Sequence, residues 1–213
     1  GDDSVILVWE PSAGRLVNRL HVHRTQVKAV AWSKRLNQIV STSADPEIRL
    51  VDPMVNQDAR PLDGRGIVRW SPNGLQIVTN GQEFGTARVL NAETGQVDHL
   101  IRIDQESYFK CVDWSSDGKR IAFGDFGGNV WLWDAASENL VWHTCDVFPD
   151  APKPIEIRSL CFSRGGDLLM TAGTDGNIRV RESSTGQLLR TIEGHNAPVG
   201  TVCWSPDGRR FAS

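Results

Sequence analysis

The histidines, cysteines, serines and acidic residues of this chain follow no pattern typical of catalysis. Its 213 residues include five His and four Cys. They contain no GxSxG, HExxH, GxxxxGK[ST] or strand-following GxGxxG motif. The cysteines form no CxxC pair and lack the spacing of a disulfide framework or a zinc site. We therefore expect no enzyme activity, metal or cofactor, and we expect small buried cysteines in a reducing compartment. The four cysteines are Cys111, Cys145, Cys161 and Cys203.

The charge of the chain points away from nucleic acid and membrane partners. It has 23 Lys and Arg against 26 Asp and Glu, a net charge of −3. This balance leaves no polyelectrolyte surface for nucleic acid or anionic lipid. No apolar run approaches the about 18 residues that span a bilayer, and no signal peptide opens the chain. We expect an intracellular, cytoplasmic chain, and since it begins at Gly1 without Met we expect a piece of a longer protein.

An aromatic residue followed by Ser recurs roughly every 40 residues, which is the sign of a repeat architecture. Several of these pairs run into a turn containing Asn-Gly or Asp-Gly, whose residues tolerate the positive φ of hairpin turns. The pairs are Trp32-Ser33, Trp70-Ser71, Trp114-Ser115, Phe162-Ser163 and Trp204-Ser205.

Short apolar runs surround each aromatic-Ser pair and predict the elements that position these residues. Alternating apolar residues precede each aromatic residue, as in Val27, Val30 and Trp32. A second run follows the turn (38–40, 76–78, 120–123, 167–170), and a third follows another polar turn (5–9, 48–51, 87–90, 130–133, 178–181). A weaker fourth run is visible at 186–192. Four short strands per repeat, without helical periodicity, indicate an all-β radial array.

The repeat resembles the WD40 family. The segment LLMTAGTDGNIRVRE at 168–182, the Gly194-His195 pair and the turn from Trp204 to Gly208 carry the resemblance. The Trp-Asp position reads Trp9-Glu10, Val51-Asp52, Leu90-Asn91, Trp133-Asp134 and Arg181-Glu182. The resemblance implies a single β-propeller segment over 1–213, with about five four-stranded blade equivalents and diverged repeats. The repeats would cover 1–22, 23–60, 61–102, 103–150 and 151–194, with 195–213 starting the next blade.

Two arrangements of these blades fit the sequence. The blades could be consecutive members of a larger ring, which we favour, or the first and last segments could complete one blade. The resemblance also implies a hydrogen-bonded network of His, Ser or Thr, Asp and Trp inside a blade. The residues at these positions are His23, Ser41, Asp45, Thr171, Asp175, His195, Trp9 and Trp133. Val51 replaces Trp in the repeat that begins at His23, so we expect packing to stabilise the blades more than this network does.

In a propeller, the loops between the second and third strands share one face with the connections between blades. The longest connection, 144–154, contains three Pro and Phe148, which would be a stiff anchor for a partner; the alternative is Phe148 buried on a neighbouring blade. Trp131 is either packed inside a blade, which we favour, or an exposed aromatic residue. The candidate partner-binding residues are Phe148, Asp150, Lys153, Tyr108, Arg24, Phe84 and Phe126.

These features predict a non-enzymatic WD40 interaction module that binds a protein or peptide on its loop-bearing face. An alternative is the sensor propeller of a larger signalling protein, such as a nucleotide-binding switch ATPase or a kinase. A third is a TolB-like propeller attached to a hydrolase, because DWSSDGKRIAF and CWSPDGRRFAS resemble that family too. The Gly194-His195 pair, the turn from Asp175 to Ile178 and Trp133-Asp134 favour WD40.

Overall fold

The computed structural model describes residues 4–33, 35–44, 47–55, 59–103, 107–146 and 154–213. The regular elements in these ranges are twenty β-strands and no helices, so none of the described residues forms a helix that could cross a membrane. The predicted all-β fold with repeated four-stranded sheets is confirmed. The chain divides into two compact units, residues 1–103 and 104–213.

Unit 1 contains three antiparallel sheets. They are β1-β2, β3-β4-β5-β6 and β7-β8-β9-β10, each with its strands in chain order. One core cluster joins the first two sheets through Val8, Leu20 and Ile39, and another joins the second and third through Leu50 and Ile77. The strands are β1 Val5–Glu10, β2 Arg15–His21, β3 Val27–Ser33, β4 Gln38–Ser43, β5 Ile48–Val51, β6 Arg60–Leu62, β7 Arg65–Trp70, β8 Gln76–Asn80, β9 Thr86–Asn91 and β10 Val97–Arg102.

Unit 2 repeats this plan with sheets β11-β12-β13-β14, β15-β16-β17-β18 and β19-β20. Leu132 and Leu160 belong to a core cluster shared by its first two sheets, and Met170 and Val202 to one between the later sheets. The strands are β11 Phe109–Trp114, β12 Arg120–Asp125, β13 Asn129–Asp134, β14 Asn139–Cys145, β15 Ile157–Phe162, β16 Leu168–Gly173, β17 Asn177–Glu182, β18 Leu188–Glu193, β19 Cys203–Trp204 and β20 Phe211–Ala212.

The Ser after each aromatic residue shapes the turn between the first two strands of its sheet. The Ser115 hydroxyl donates to Asp117 Oδ1 at 2.6 Å and accepts the N–H of Arg120 at 2.9 Å. The Ser163 hydroxyl likewise bonds Asp167 Oδ1 at 2.7 Å and accepts the N–H of Leu168 at 3.0 Å. The aromatic-Ser repeat is therefore also a repeat of turn geometry.

Two tryptophans join neighbouring sheets through their indole N–H groups. Trp70 donates to the carbonyl oxygen of Ala31 at 3.0 Å in unit 1, and Trp142 to that of Ser183 at 2.9 Å in unit 2. Trp131 is buried, which confirms the packing interpretation for this residue.

The prediction of buried cysteines is wrong, because none of the four is fully buried. Cys145 and Cys203 are exposed, whereas Cys111 and Cys161 are half-buried. Cys203 begins β19 and follows the buried Val202, and neighbouring side chains of an extended chain point in opposite directions. Cys145 ends β14, the last strand of its sheet.

Candidate functional site

The antiparallel strand order of each four-stranded sheet brings two kinds of loop to the same end. The turn between the second and third strands lies at the end where the first strand begins and the fourth strand finishes. We term this the connection end of a sheet. In unit 2 it includes the turn 126–128, the turn 174–176 and the residues that lead into β11 and β15.

The connection end of unit 2 carries an exposed aromatic residue among charged side chains. Phe126, at the tip of the β12–β13 turn, is 52% exposed, and Lys110 Nζ lies 4.6 Å from its ring centroid. Glu156 joins two cations, because its Oε1 is 3.4 Å from Lys110 Nζ and its Oε2 is 3.4 Å from Arg158 Nη2. We term these four residues the Phe126 patch. Its two cations and one carboxylate leave one positive charge beside an apolar ring.

A buried carboxylate holds the turn that presents Phe126. Asp125 is fully buried, and its Oδ1 accepts the N–H groups of Gly127 and Asn129, both at 2.8 Å. Its Oδ2 accepts the Ser107 hydroxyl at 2.5 Å and the Asn129 side-chain amide at 3.0 Å. Since both oxygens are used, the turn is fixed before any partner arrives.

The hydrogen-bonded chain continues from this turn into the sheet. Asn129 Oδ1 lies 2.9 Å from His143 Nε2, so His143 is the donor when this oxygen is the acceptor. The His143 ring stacks on Trp131 with centroids 5.1 Å apart, and Trp131 meets Phe109 edge-on at 5.4 Å. The β12–β13 turn therefore rests on packed aromatic rings.

A second buried network lies in the β15–β18 sheet. Arg181 donates through Nη1 to Thr171 Oγ1 at 3.0 Å and through Nη2 to Asp146 Oδ1. Arg179 donates to Asp175 Oδ2 at 2.6 Å, and its Nε lies 3.8 Å from Asp146 Oδ1. Both arginines are buried and ion-paired, so the network joins the β15–β18 sheet to the residue that follows β14.

Burial and charge act in opposite directions on the two carboxylates of this network. Burial raises the pKa of Asp146, although Arg181 and Arg179 oppose the shift. Burial also acts to raise the pKa of Asp175, but hydrogen bonding to Arg179 and the attraction of its charge outweigh it and lower that pKa. Asp146 Oδ2 is buried without a hydrogen-bond partner among the described residues.

Asp146 also anchors the long connection after β14. Its N–H donates to the carbonyl oxygen of Gly128 at 2.7 Å, and its own carbonyl accepts the N–H of Ile155 at 3.2 Å. The two ends of the connection are thus joined at the connection end of unit 2. Phe148, Asp150 and Lys153, predicted to bind a partner, lie outside the described residues.

The other predicted partner-binding residues differ in exposure. Tyr108 is half-buried just before β11. In unit 1, Arg24 is exposed before β3, and Phe84 is 59% exposed in the β8–β9 turn, next to the Arg102–Glu83 ion pair at 3.0 Å. Phe84 thus occupies the connection end of its own sheet.

The predicted blade network is only partly assembled. His23 Nε2 lies 2.9 Å from Ser41 Oγ, and His195 Nε2 lies 2.6 Å from Ser213 Oγ; both pairs are 18 residues apart. Thr171 bonds Arg181 instead of a histidine. Of the remaining members, Asp175 bonds Arg179, Trp9 is 55% exposed and Trp133 is half-buried, while Asp45 lies outside the described residues.

Several residues of these networks escaped the sequence analysis. Asp125 stands two positions before Gly127, the residue that aligns with the turn aspartate, so alignment of the repeats passes over it. Asp146 and Arg181 come from different repeats. The Arg at 179 and 181 was a visible signal, because other repeats have apolar or aromatic residues at the second position. Among the described residues, no three His, Cys, Asp or Glu side chains are grouped to hold a metal ion.

Comparison with known proteins identifies the family. Residues 121–207 match the model of the anaphase-promoting complex subunit 4 WD40 domain, and residues 14–52 and 95–134 match that of the WD domain, G-beta repeat. The chain is 36% identical over 202 residues to the WD repeat-containing protein VIP3 of Arabidopsis thaliana, covering 87% of this chain and 62% of that protein. The chain belongs to the WD40-repeat family. Its four-stranded sheets are WD40 blades, and WD40 repeats form protein-interaction scaffolds that are generally non-catalytic.

Two further proteins are similar to the chain at lower sequence identity. The anaphase-promoting complex subunit cdc20 of Dictyostelium discoideum is 27% identical, with 83% of this chain and 36% of that protein covered. The nuclear distribution protein nudF of Aspergillus niger is 25% identical, with 100% and 52% covered. The chain therefore spans less than two thirds of the length of these three relatives.

Proposed function

We propose that this WD40 chain is a non-enzymatic interaction module that binds a protein or peptide at the connection end of unit 2. The Phe126 patch is the centre of the contact. The observation that carries the proposal is Phe126, a half-exposed aromatic ring at the tip of a turn, with a lysine ammonium over its ring.

The rigidity of the turn supports this assignment. Aromatic residues are enriched among the anchors of protein interfaces, and binding is weakened when such an anchor must first be ordered. Asp125 already fixes the turn through its bonds to Gly127 and Asn129, so Phe126 needs little ordering on binding.

The charges of the patch favour an acidic group on the partner. Lys110 and Arg158 both form ion pairs with Glu156, and both cations are partly exposed to solvent. Exposed ion pairs are weak, so a carboxylate from a partner can compete with Glu156 for either cation. The partner segment would place an apolar or aromatic side chain on Phe126 and an acidic side chain beside it.

The test is an affinity purification with quantitative cross-linking, using wild-type chain, Phe126→Ala, Lys110→Glu and Tyr108→Ala. The matched control is Leu140→Ala, because Leu140 is 45% exposed and lies at the opposite end of the same sheet. We expect at least tenfold lower recovery of the partner with Phe126→Ala and Lys110→Glu and no change with Leu140→Ala. Equal recovery by the Phe126 and Leu140 variants would refute the proposed site.

A further inference from the structure

A groove of about 790 Å³ lies in unit 1, between the β3–β6 sheet and the β7–β10 sheet. The described residues that line it lie in or next to the β3–β4 and β5–β6 connections of one sheet and the β7–β8 and β9–β10 turns of the other. These loops lie at the end of the sheets opposite their connection ends. We term this cavity the turn groove.

The turn groove has an apolar base and an apolar rim. Leu50, Val51 and Ala92 are buried at its base. Leu36, Val55 and Leu75 at the rim are 36%, 38% and 40% exposed, and Met54 beside them is 63% exposed. A group of exposed apolar side chains around one concavity is typical of a binding surface, whereas isolated ones are common on any protein.

Contacts between the two sheets hold the groove in shape. Gly74, with φ +69°, lies so close to the neighbouring turn that a Cβ there would be 2.9 Å from Arg35 Cβ and 3.0 Å from Ser33 Oγ. On the other side, the Arg60 guanidinium donates to the carbonyl oxygens of Ala92 and Glu93. The groove is therefore preformed, which lowers the ordering cost of binding.

Two of the charged groups at the groove have no bonding partner among the described residues. The Arg60 guanidinium is used in the contacts between the sheets, and Asp52 Oδ1 accepts the N–H of Met54 at 2.8 Å. The Arg35 guanidinium and the Glu93 carboxylate are unpaired in the described part of the chain. The groove thus offers an apolar base, one free cation and one free anion among the residues that the structure describes.

We infer that the turn groove binds a short extended segment of a partner protein. The segment inserts one bulky apolar side chain between Leu36 and Leu75, with an acidic residue that pairs with Arg35 and a basic residue that pairs with Glu93. The groove volume lies within the about 300–1,000 Å³ of ligand-binding sites, and its polar groups are few and placed at the rim. This site is separate from the Phe126 patch and goes beyond the proposed function.

The test is selection of a randomised peptide library displayed on phage against the wild-type chain, followed by measurement of peptide affinities for variants. We expect enriched peptides to combine a bulky apolar residue with an acidic neighbour. Leu75→Glu should weaken these peptides at least tenfold, and Arg35→Glu threefold to tenfold. A peptide whose acidic residue is replaced by Lys should prefer Arg35→Glu to the wild-type chain.

Two control variants show whether the peptides bind at the turn groove or elsewhere on the chain. Leu100→Glu alters a residue of unit 1 that is 42% exposed but lies on β10, away from the groove, and should bind as wild type. Phe126→Ala should also bind as wild type, so this result is independent of the proposed function. Leu36→Glu replaces Leu75→Glu if the latter fails to fold by circular dichroism.

Three outcomes would overturn the inference. One is peptide binding that survives both Leu75→Glu and Leu36→Glu, and a second is the absence of any enriched peptide. The third is a concentration-dependent dimer, seen by light scattering and abolished by Leu75→Glu, which would assign the groove to a second copy of the chain.

Discussion

Arg181 occupies the strand position that other repeats give to Trp133, Val51 and Leu90. Its guanidinium is almost fully buried and donates hydrogen bonds to Asp146 and Thr171. A buried charge that loses its partner is costly, whereas replacing both members of a pair by apolar groups can be nearly neutral. At this position the β15–β18 sheet therefore has an ion-paired arginine where other sheets have an apolar or aromatic residue.

We predict that Asp146→Ala lowers the free energy of unfolding by about 3 kcal/mol, because it leaves the buried Arg181 guanidinium without its ion-pair partner. The double variant Asp146→Ala/Arg181→Leu should recover part of this loss. Urea unfolding of the single and double variants measures the coupling. Glu83→Ala, which removes the exposed partner of Arg102, is the matched control and should cost less than about 1 kcal/mol. Additive effects of the two buried substitutions would contradict the prediction.

Residue-level pairing was the least predictable part of the molecule. The bond between Asp146 and Arg181 joins residues 35 positions apart in different repeats, and a repeat pattern describes only what each repeat contains. The packing of Trp131 was predictable, since it lies two positions from Trp133 on the same face of one strand. The contact between Lys110 and the Phe126 ring was not predictable, because the sequence does not show which side of the β12–β13 turn faces β11.

At the scale of elements, the turn between the second and third strands packs closely on the chain that follows the fourth strand. Gly176, with φ +79°, lies so near this chain that a Cβ would be 2.5 Å from the carbonyl oxygen of His195 and 3.1 Å from that of Ala197. Gly128, with φ +83°, meets the carbonyl oxygen of Asp146 in the same way. Glycine is required here by both conformation and space.

We predict that Gly176→Ala destabilises the chain by about 3 kcal/mol, from left-handed backbone strain together with the clash. Gly14→Ala is the matched control, because Gly14 has φ +59° but a Cβ there would meet nothing within 4 Å among the described residues. Its cost should be about 1 kcal/mol, from strain alone. Thermal unfolding of both variants measures the difference, and equal losses would show that close packing contributes nothing.

The strands themselves were largely predictable. Each predicted second and third run falls on a strand, with ends that differ by up to three residues, such as 120–123 within β12. The reason is that both runs are apolar and bounded by glycine-containing turns. The fourth strands were weaker signals because they lie at the outer edge of a sheet, where side chains such as Leu188 and Leu189 are exposed and alternation is lost.

At the scale of the whole molecule, the small pKa shifts of several aspartates add up to a dependence of stability on pH. Five aspartates of the described residues have a lowered pKa: Asp117, Asp134, Asp167, Asp175 and Asp207. For Asp117, Asp167 and Asp207 the first cause is a hydrogen bond from the turn serine. Asp146 is the opposite case, with a raised pKa. The five aspartates with a lowered pKa therefore stabilise the folded state when they are ionised.

We predict that stability is lost in acid. A lowered pKa in the folded state gives stability that is present above the ordinary aspartate value of 3.8 and is lost as the pH falls through the folded values. Asp146 acts oppositely, because its contribution falls as the pH rises through its raised pKa. Urea unfolding measured from about pH 2 to about pH 7, on both sides of the ordinary aspartate pKa, should show that the free energy of unfolding falls below about pH 4.

Ser115→Ala, Ser163→Ala and Ser205→Ala combined should flatten this acid dependence, because the serine hydroxyls stabilise the ionised carboxylates. Ser184→Ala, at an exposed serine without a described bond, is the control. If the triple variant lost stability in acid as steeply as the wild-type chain, the serine hydroxyls would not be the cause of the lowered aspartate pKa values. The predicted repeat boundaries stay predictions at this scale. The four-stranded sheets were foreseen from the aromatic-Ser period and the short apolar runs around it.

The joined ends of the long connection after β14 make this place suited to protein engineering. Asp146 and Ile155 are bonded through their main chains, so the chain leaves the β11–β14 sheet and approaches the β15–β18 sheet at neighbouring points. Loop-closure entropy grows only slowly with length. A foreign epitope or a reporter domain could be spliced between these two residues with little cost to the blades on either side.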